Sequence, residues 1–175
     1  MNKSLKDKIK KVKLLILDVD GVLTNGEIIV TDLGQEIKIF HVQDGFGLVI
    51  FRKAGLKTAI ISARASKAVA VRAKDLGIDQ VYLNARSKLQ AYAKILKDLK
   101  LKDENVCFVA DDLPDLALMQ RVGVKMTVPN ARPEIKKIAH HVTKNEGGRG
   151  AVREVVELIL KTQGLWKKQV EAMQG

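Results

Sequence analysis

Five short apolar runs separated by helix-patterned stretches constrain this chain more than any other feature of its sequence. They are LLIL at 14–17, TAII at 58–61, VYL at 81–83, VCFVA at 106–110 and VKMTV at 124–128. Runs this short and this apolar suit strands covered on both faces. The helices between them show as stripes at helical spacing: Leu89, Tyr92, Ala93, Leu96 and Leu99 share one face, and Val152, Val155, Val156, Ile159 and Leu160 another. Alternation of this kind predicts βαβ units around a parallel sheet, here a three-layer, Rossmann-like α/β domain with a five-stranded core. EIIV at 27–30 and EIKIF at 36–40 flank TDLGQ and break the pattern, predicting a β-hairpin over 26–40 that projects just after the first strand. Such a hairpin is an edge ribbon, or else a flap or oligomer contact beside the edge where parallel sheets bind ligands. A C-terminal helix and tail are expected over 147–175, opening on the loop NEGGRG.

A length of 175 residues, 46% of them hydrophobic, suits a single core, and one domain is expected over 1–175. No apolar run approaches the roughly 18 residues of a membrane span. The N-terminal MNKSLKDKIKK lacks the apolar centre of a secretion signal, so a cytoplasmic protein without a membrane partner is expected. The single cysteine, Cys107, lies within VCFVA and reads as a small buried hydrophobe, which excludes a disulfide framework or a zinc site built on thiolates. The net charge of +11 attracts anions of every kind. Yet 23 of the 31 basic residues are lysines spread along the whole chain, and seven aromatics offer little to stack on bases. Nucleic acid is therefore not the expected partner; a solvated lysine surface that weakly steers small anions is.

The carboxylates are placed more tellingly. LLIL delivers Asp18 and Asp20 into a turn at the C-terminal edge of the sheet, and VCFVA delivers Asp111, Asp112 and Asp115 to the same edge. Either cluster alone reads equally as turn or helix-start aspartates. Together they repel one another unless a cation lies between them, and magnesium prefers such an oxygen shell. Ser62 ends TAII and is expected to open a helix, as a helix cap or as a phosphoryl ligand. Lys88 opens the helix after VYL, where the helix dipole disfavours a cation unless an anion meets it.

In order and placement, DVDGVLT, ISAR, Lys88 in ARSKL and ADDLPD resemble the motifs of the haloacid dehalogenase superfamily of phosphotransferases, over about residues 12 to 164. The hairpin leading to HVQDGFG, with ISAR and GGRGAVREV, is similar within it to the 3-deoxy-D-manno-octulosonate 8-phosphate phosphatases, which act on a lipopolysaccharide precursor. The resemblance implies a magnesium-dependent phosphatase with Asp18 as nucleophile and Asp20 as acid and base. It implies Mg²⁺ on Asp18, Asp111 and the Asp20 carbonyl, with Ser62 and Lys88 on the phosphoryl oxygens. Asp112 and Asp115 would stand behind these, Asp115 orienting Lys88 or a metal-bound water. His41, Val42, Gln43, Asp44 and Gly45 would help form the substrate pocket together with Asp20 and Lys88. Arg64 and Arg72, expected near one helix face, would meet the sugar carboxylate, and Arg149 would reach the site from the tail. The spacings between motifs leave no room for a cap domain, and the resemblance implies a homotetramer instead. A nonulosonate 9-phosphate remains open as substrate, as does a non-catalytic basic binding module on the same fold.

Overall fold

The computed structural model describes residues 3–174. Its strands are β1 (Leu14–Leu17), β2 (Ile29–Val30), β3 (Glu36–Ile37), β4 (Lys57–Ile61), β5 (Gln80–Tyr82), β6 (Val106–Ala110), β7 (Val124–Thr127) and β8 (His141–Val142). Its helices are α1 (Lys3–Lys10), α2 (Val42–Lys53), α3 (Lys67–Leu76), α4 (Lys88–Leu99), α5 (Leu116–Arg121), α6 (Pro133–Ile138), α7 (Ala151–Thr162) and α8 (Trp166–Glu171). Six strands form one parallel sheet in the order β5-β4-β1-β6-β7-β8, and β2 pairs antiparallel with β3. All four residues of β1 and all five of β6 are buried, as strands covered by helices on both faces must be. The helices divide accordingly: α2 packs on α3 and α7, and α7 on α1, whereas α4 packs on α5 and α5 on α6.

The five expected strands are present, and β8 adds a sixth. Its two residues at the sheet edge are too few to register as an apolar run. The hairpin is shorter than expected, with Ile29 opposite Ile37 and Val30 opposite Glu36. Ile29, Val30, Leu33 and Ile39 are exposed, so no apolar burial holds a longer ladder together within this chain. Among the described residues no helix is long and apolar enough to cross a membrane.

Two features of the fold place the site. Leu17 lies level with Ile60 of β4 and Val109 of β6, so the residues following these three strands emerge side by side. Sequence order also reverses direction across the sheet at β1, the kind of place where parallel sheets open a crevice.

Candidate active site

Register brings Asp18, Ser62 and Asp111 to one crevice, and α4 supplies Lys88 from its first turn. The Ser87 hydroxyl accepts the Gln90 N–H and caps that helix, which frees the Lys88 side chain to turn inward. Its Nζ donates to Asp18 Oδ1 at 2.6 Å and to Asp115 Oδ1 at 2.5 Å. All three residues are buried, with exposures of 8% for Asp18, 9% for Lys88 and 1% for Asp115. Two carboxylates therefore offset the cost of a cation at a helix start.

Asp18, Asp111 and Asp115 each present an oxygen within 4.8 Å of the others'. Three carboxylates against one ammonium leave two negative charges uncompensated when all are ionised. Burial, then the charges of Asp18, Asp115 and Asp112, push the Asp111 carboxyl up to about 7. Burial likewise raises Asp18 and Asp115 against the pull of Lys88. For Lys88, burial acts downward, but the two carboxylates outweigh it and the net shift is upward, as expected of a persistent ammonium. Asp111 Oδ1 is buried and has no hydrogen-bond partner among the described residues. An unpartnered buried oxygen in a cluster that carries two excess negative charges when fully ionised fits a hard divalent cation, which Asp18 and Asp111 could hold. Gly21 makes this approach possible. A Cβ there would lie 2.0 Å from Asp111 Oδ2, and its φ of +90° is one that side chains disfavour.

Asp20 lies on the hairpin side of the same crevice, which also includes Gly26, Ser62, Ala63, Arg64, Asp112 and Pro114. Its Oδ1 accepts from Lys38, and its Oδ2 lies 3.6 Å from Arg64 Nε. Arg64 Nη2 donates to Glu36 at 2.6 Å, and that bond is the largest cause holding the Glu36 carboxyl down at about 2. Ser62 is 4% exposed; its Oγ accepts the Arg64 N–H at 3.2 Å, leaving its hydroxyl hydrogen for a ligand.

Several expectations change. Ser62 opens no helix: α3 starts at Lys67, and Ser66 caps it by accepting the Val69 N–H. Arg64 therefore precedes the helix that carries Arg72, and the two share no helix face. Arg72 turns toward α2, where a Cβ on Gly45 would lie 2.3 Å from its Nη2. Together with His41, Asp44 and Gly45 it borders a small apolar cavity with Leu23, Phe40 and Leu48, apart from the Asp18 crevice. Val42 and Gln43 are exposed on α2. Asp44, expected as a pocket residue, is 1% exposed and caps α7, accepting the N–H groups of Gly150 at 3.1 Å and Arg153 at 2.7 Å. Asp112 accepts the N–H of Leu113 at 2.8 Å at the crevice rim. Arg149 is exposed, in a loop docked on the Asp18 turn: Gly148 N–H donates to the Val22 carbonyl, and Asn130 bridges the Gly21 carbonyl and the Gly147 N–H, each at 2.9 Å.

Sequence reasoning missed Glu36, Lys38 and Asn130. The first two alternate with Ile37 and Ile39 in EIKIF, a period-two signal of one charged face. Asn130 carries no local signal, since its partner Gly21 lies 109 residues away.

The pattern of the haloacid dehalogenase-like hydrolase family matches residues 59–155. The 3-deoxy-D-manno-octulosonate 8-phosphate phosphatase of Escherichia coli strain K12 is 43% identical over 157 residues, covering 90% of this chain and 84% of that one. A crystal structure of the Moraxella catarrhalis phosphatase of that name, in complex with magnesium, phosphate and KDO, superposes with a TM-score of 0.95 at 38% identity, covering 99% of both chains. The cobalt-bound Haemophilus influenzae phosphatase superposes with a TM-score of 0.87 at 35% identity, covering 90% of this chain and 92% of that one. The buried carboxylate–lysine crevice and these matches agree: the chain belongs to the haloacid dehalogenase-like hydrolases and is a phosphomonoester hydrolase.

Proposed function

We propose that the chain hydrolyses 3-deoxy-D-manno-octulosonate 8-phosphate to the free sugar acid and phosphate, through a phosphorylated Asp18 and with Mg²⁺. The observation that carries this reading is Asp18 itself, a buried carboxylate whose Oδ1 is fixed by Lys88 beside the unpartnered oxygen of Asp111. The relatives' substrate supports the choice of sugar phosphate. Asp18 and Asp111, with the main-chain carbonyl of Asp20, would hold the ion, which supplies positive charge that lets a carboxylate approach a phosphate dianion.

The free oxygen of Asp18 forms a bond to phosphorus as the phosphorus–sugar oxygen bond breaks, and Asp20 gives a proton to the departing oxygen. Water then attacks the aspartyl-phosphate, its proton passes to Asp20, and the Asp18 carboxylate is restored. Lys88 and the Ser62 hydroxyl hold the phosphoryl oxygens, while Asp115 keeps Lys88 in place. The substrate's phosphate and carboxylate sit at opposite ends of an eight-carbon chain. A carboxylate ligand therefore belongs well away from Asp18. Arg72 and the stretch His41, Val42 and Gln43 lie outside their own crevice, which favours their reaching the site of another copy in a homotetramer; Arg149 is a further candidate. The exposed apolar face of the hairpin supports such an assembly.

Phosphate release from a panel of sugar phosphates, with Mg²⁺ and with a chelator, tests the proposal. Octulosonate 8-phosphate should be the preferred substrate, and Asp18→Asn should abolish turnover. No metal-dependent release from any phosphomonoester would sink the catalytic reading, and preference for a nonulosonate 9-phosphate would redirect it.

A further inference from the structure

We propose that Lys38, carried by the hairpin, is a positioning residue that fixes Asp20 for proton transfer; this rests on the acid–base role proposed for Asp20. The Lys38 side chain is 1% exposed, although its neighbours Ile37 and Ile39 are 47% and 64% exposed. An ammonium is buried at such a cost that it must be paired. Lys38 Nζ donates to Asp20 Oδ1 and lies 3.2 Å from Glu36 Oε1. The other Glu36 oxygen accepts from Arg64 Nη2, and Arg64 Nε lies 3.6 Å from Asp20 Oδ2. Two cations and two carboxylates thus close a neutral ring, and Asp20 is its member nearest the Asp18 turn.

The ring decides which oxygen of Asp20 can act. Oδ1 is engaged by Lys38, whereas Oδ2 stands beyond hydrogen-bond length of Arg64 and is left for the leaving oxygen or the attacking water. Asp20 and Arg64 border the crevice and Lys38 does not. Lys38 therefore acts through Asp20 and not on the substrate. Proton transfer requires hydrogen-bond reach, and an acid misplaced by about 1 Å loses about 100-fold in rate. Without Lys38, the Asp20 side chain is free to rotate and Glu36 loses one of its two cations, so the hairpin's grip on the crevice weakens where the proton moves.

The leaving group separates positioning from general damage. A sugar alkoxide needs a proton to depart, whereas p-nitrophenolate leaves well without one, though water attack on the intermediate still requires Asp20. Lys38→Met should lower kcat on an alkyl phosphate by about 100-fold with little change in KM. With p-nitrophenyl phosphate it should give a stoichiometric burst of p-nitrophenolate followed by slow turnover, as Asp20→Asn should more severely. Lys38→Arg, which can still donate to both carboxylates, should recover most of the alkyl-phosphate rate. If Lys38→Met does not fold, Lys38→Ala, which also removes the donor to Asp20, gives the same readout. Equal losses on both substrates without a burst, a KM rise with kcat intact, or wild-type kinetics would each overturn the proposal. If Asp20→Asn itself shows neither burst nor leaving-group dependence, the acid–base reading falls and this one with it. If Asp20→Asn behaves as stated and the Lys38 variants do not, only the role of Lys38 falls.

Discussion

Asp111 shows how much chemistry one buried oxygen can carry. Burial and the neighbouring carboxylates push its carboxyl up to about 7 in the folded chain, from 3.8 for an unperturbed group, so between those values the folded state binds more protons than the unfolded one. The part of metal-free stability that Asp111 contributes is therefore fully present below the unperturbed value and is lost as pH rises through the folded one. Thermal melts in chelator should show Tm falling from about pH 5 to about pH 8, with Mg²⁺ restoring more of it at the upper end, since the ion favours the ionised carboxylates. Asp111→Asn should flatten both trends. At Gly21 a methyl group meets Asp111 Oδ2 at 2.0 Å and a positive φ besides. Gly21→Ala should cost about 1–2 kcal/mol from the backbone conformation alone, read by denaturant unfolding, and should abolish Mg²⁺-dependent phosphate release by displacing Asp111. Asp18, Ser62, Lys88 and Asp111 were legible as candidates because each directly follows an apolar strand or opens a striped helix, and Asp20 because it stands two residues past Asp18 in the same turn. Lys38 was not, because its importance depends on where the hairpin folds back, which the hairpin's own residues do not state.

Helix α7 illustrates a dependence between elements distant in sequence. Its first turn is capped by Asp44 at the start of α2, more than a hundred residues earlier. A buried and a part-buried N–H group lose their acceptor in Asp44→Ala, and the expected cost is about 1–3 kcal/mol in urea unfolding. The kinetic signature distinguishes a cap from a pocket residue: KM should stay within about twofold of wild type for the folded variant. HVQDGFG marks a segment near the site, but motif proximity does not tell an inward-facing cap from a ligand-facing carboxylate; α7 packing across α2 settles it. The same limit applies to Arg72, which helical spacing put beside Arg64, whereas α3 begins only after Arg64.

At the scale of the whole molecule, charge and exposed apolar surface occupy different roles. Lysines are scattered, while Ile29, Val30, Leu33, Ile37 and Ile39 are concentrated on the hairpin. If copies of the chain bury that ribbon against each other, native mass measurement should give a tetramer, and Ile37→Glu should shift it to smaller species by placing a charge in an apolar contact. Loss of octulosonate 8-phosphate turnover should accompany dissociation, with p-nitrophenyl phosphate, which needs no sugar pocket, less affected. A monomer with full activity would remove the shared site. By itself the sequence determined the parallel sheet, the helices on its two faces and the carboxylates at its C-terminal edge, because apolar periodicity and strand-end position are local properties of the chain. Only the tertiary structure decided that Lys38 turns onto Asp20, that Asn130 ties the Gly21 turn to Gly147, and that Asp44 serves a helix and not the crevice. Those pairings join residues whose partners are fixed by packing and whose local patterns do not name them.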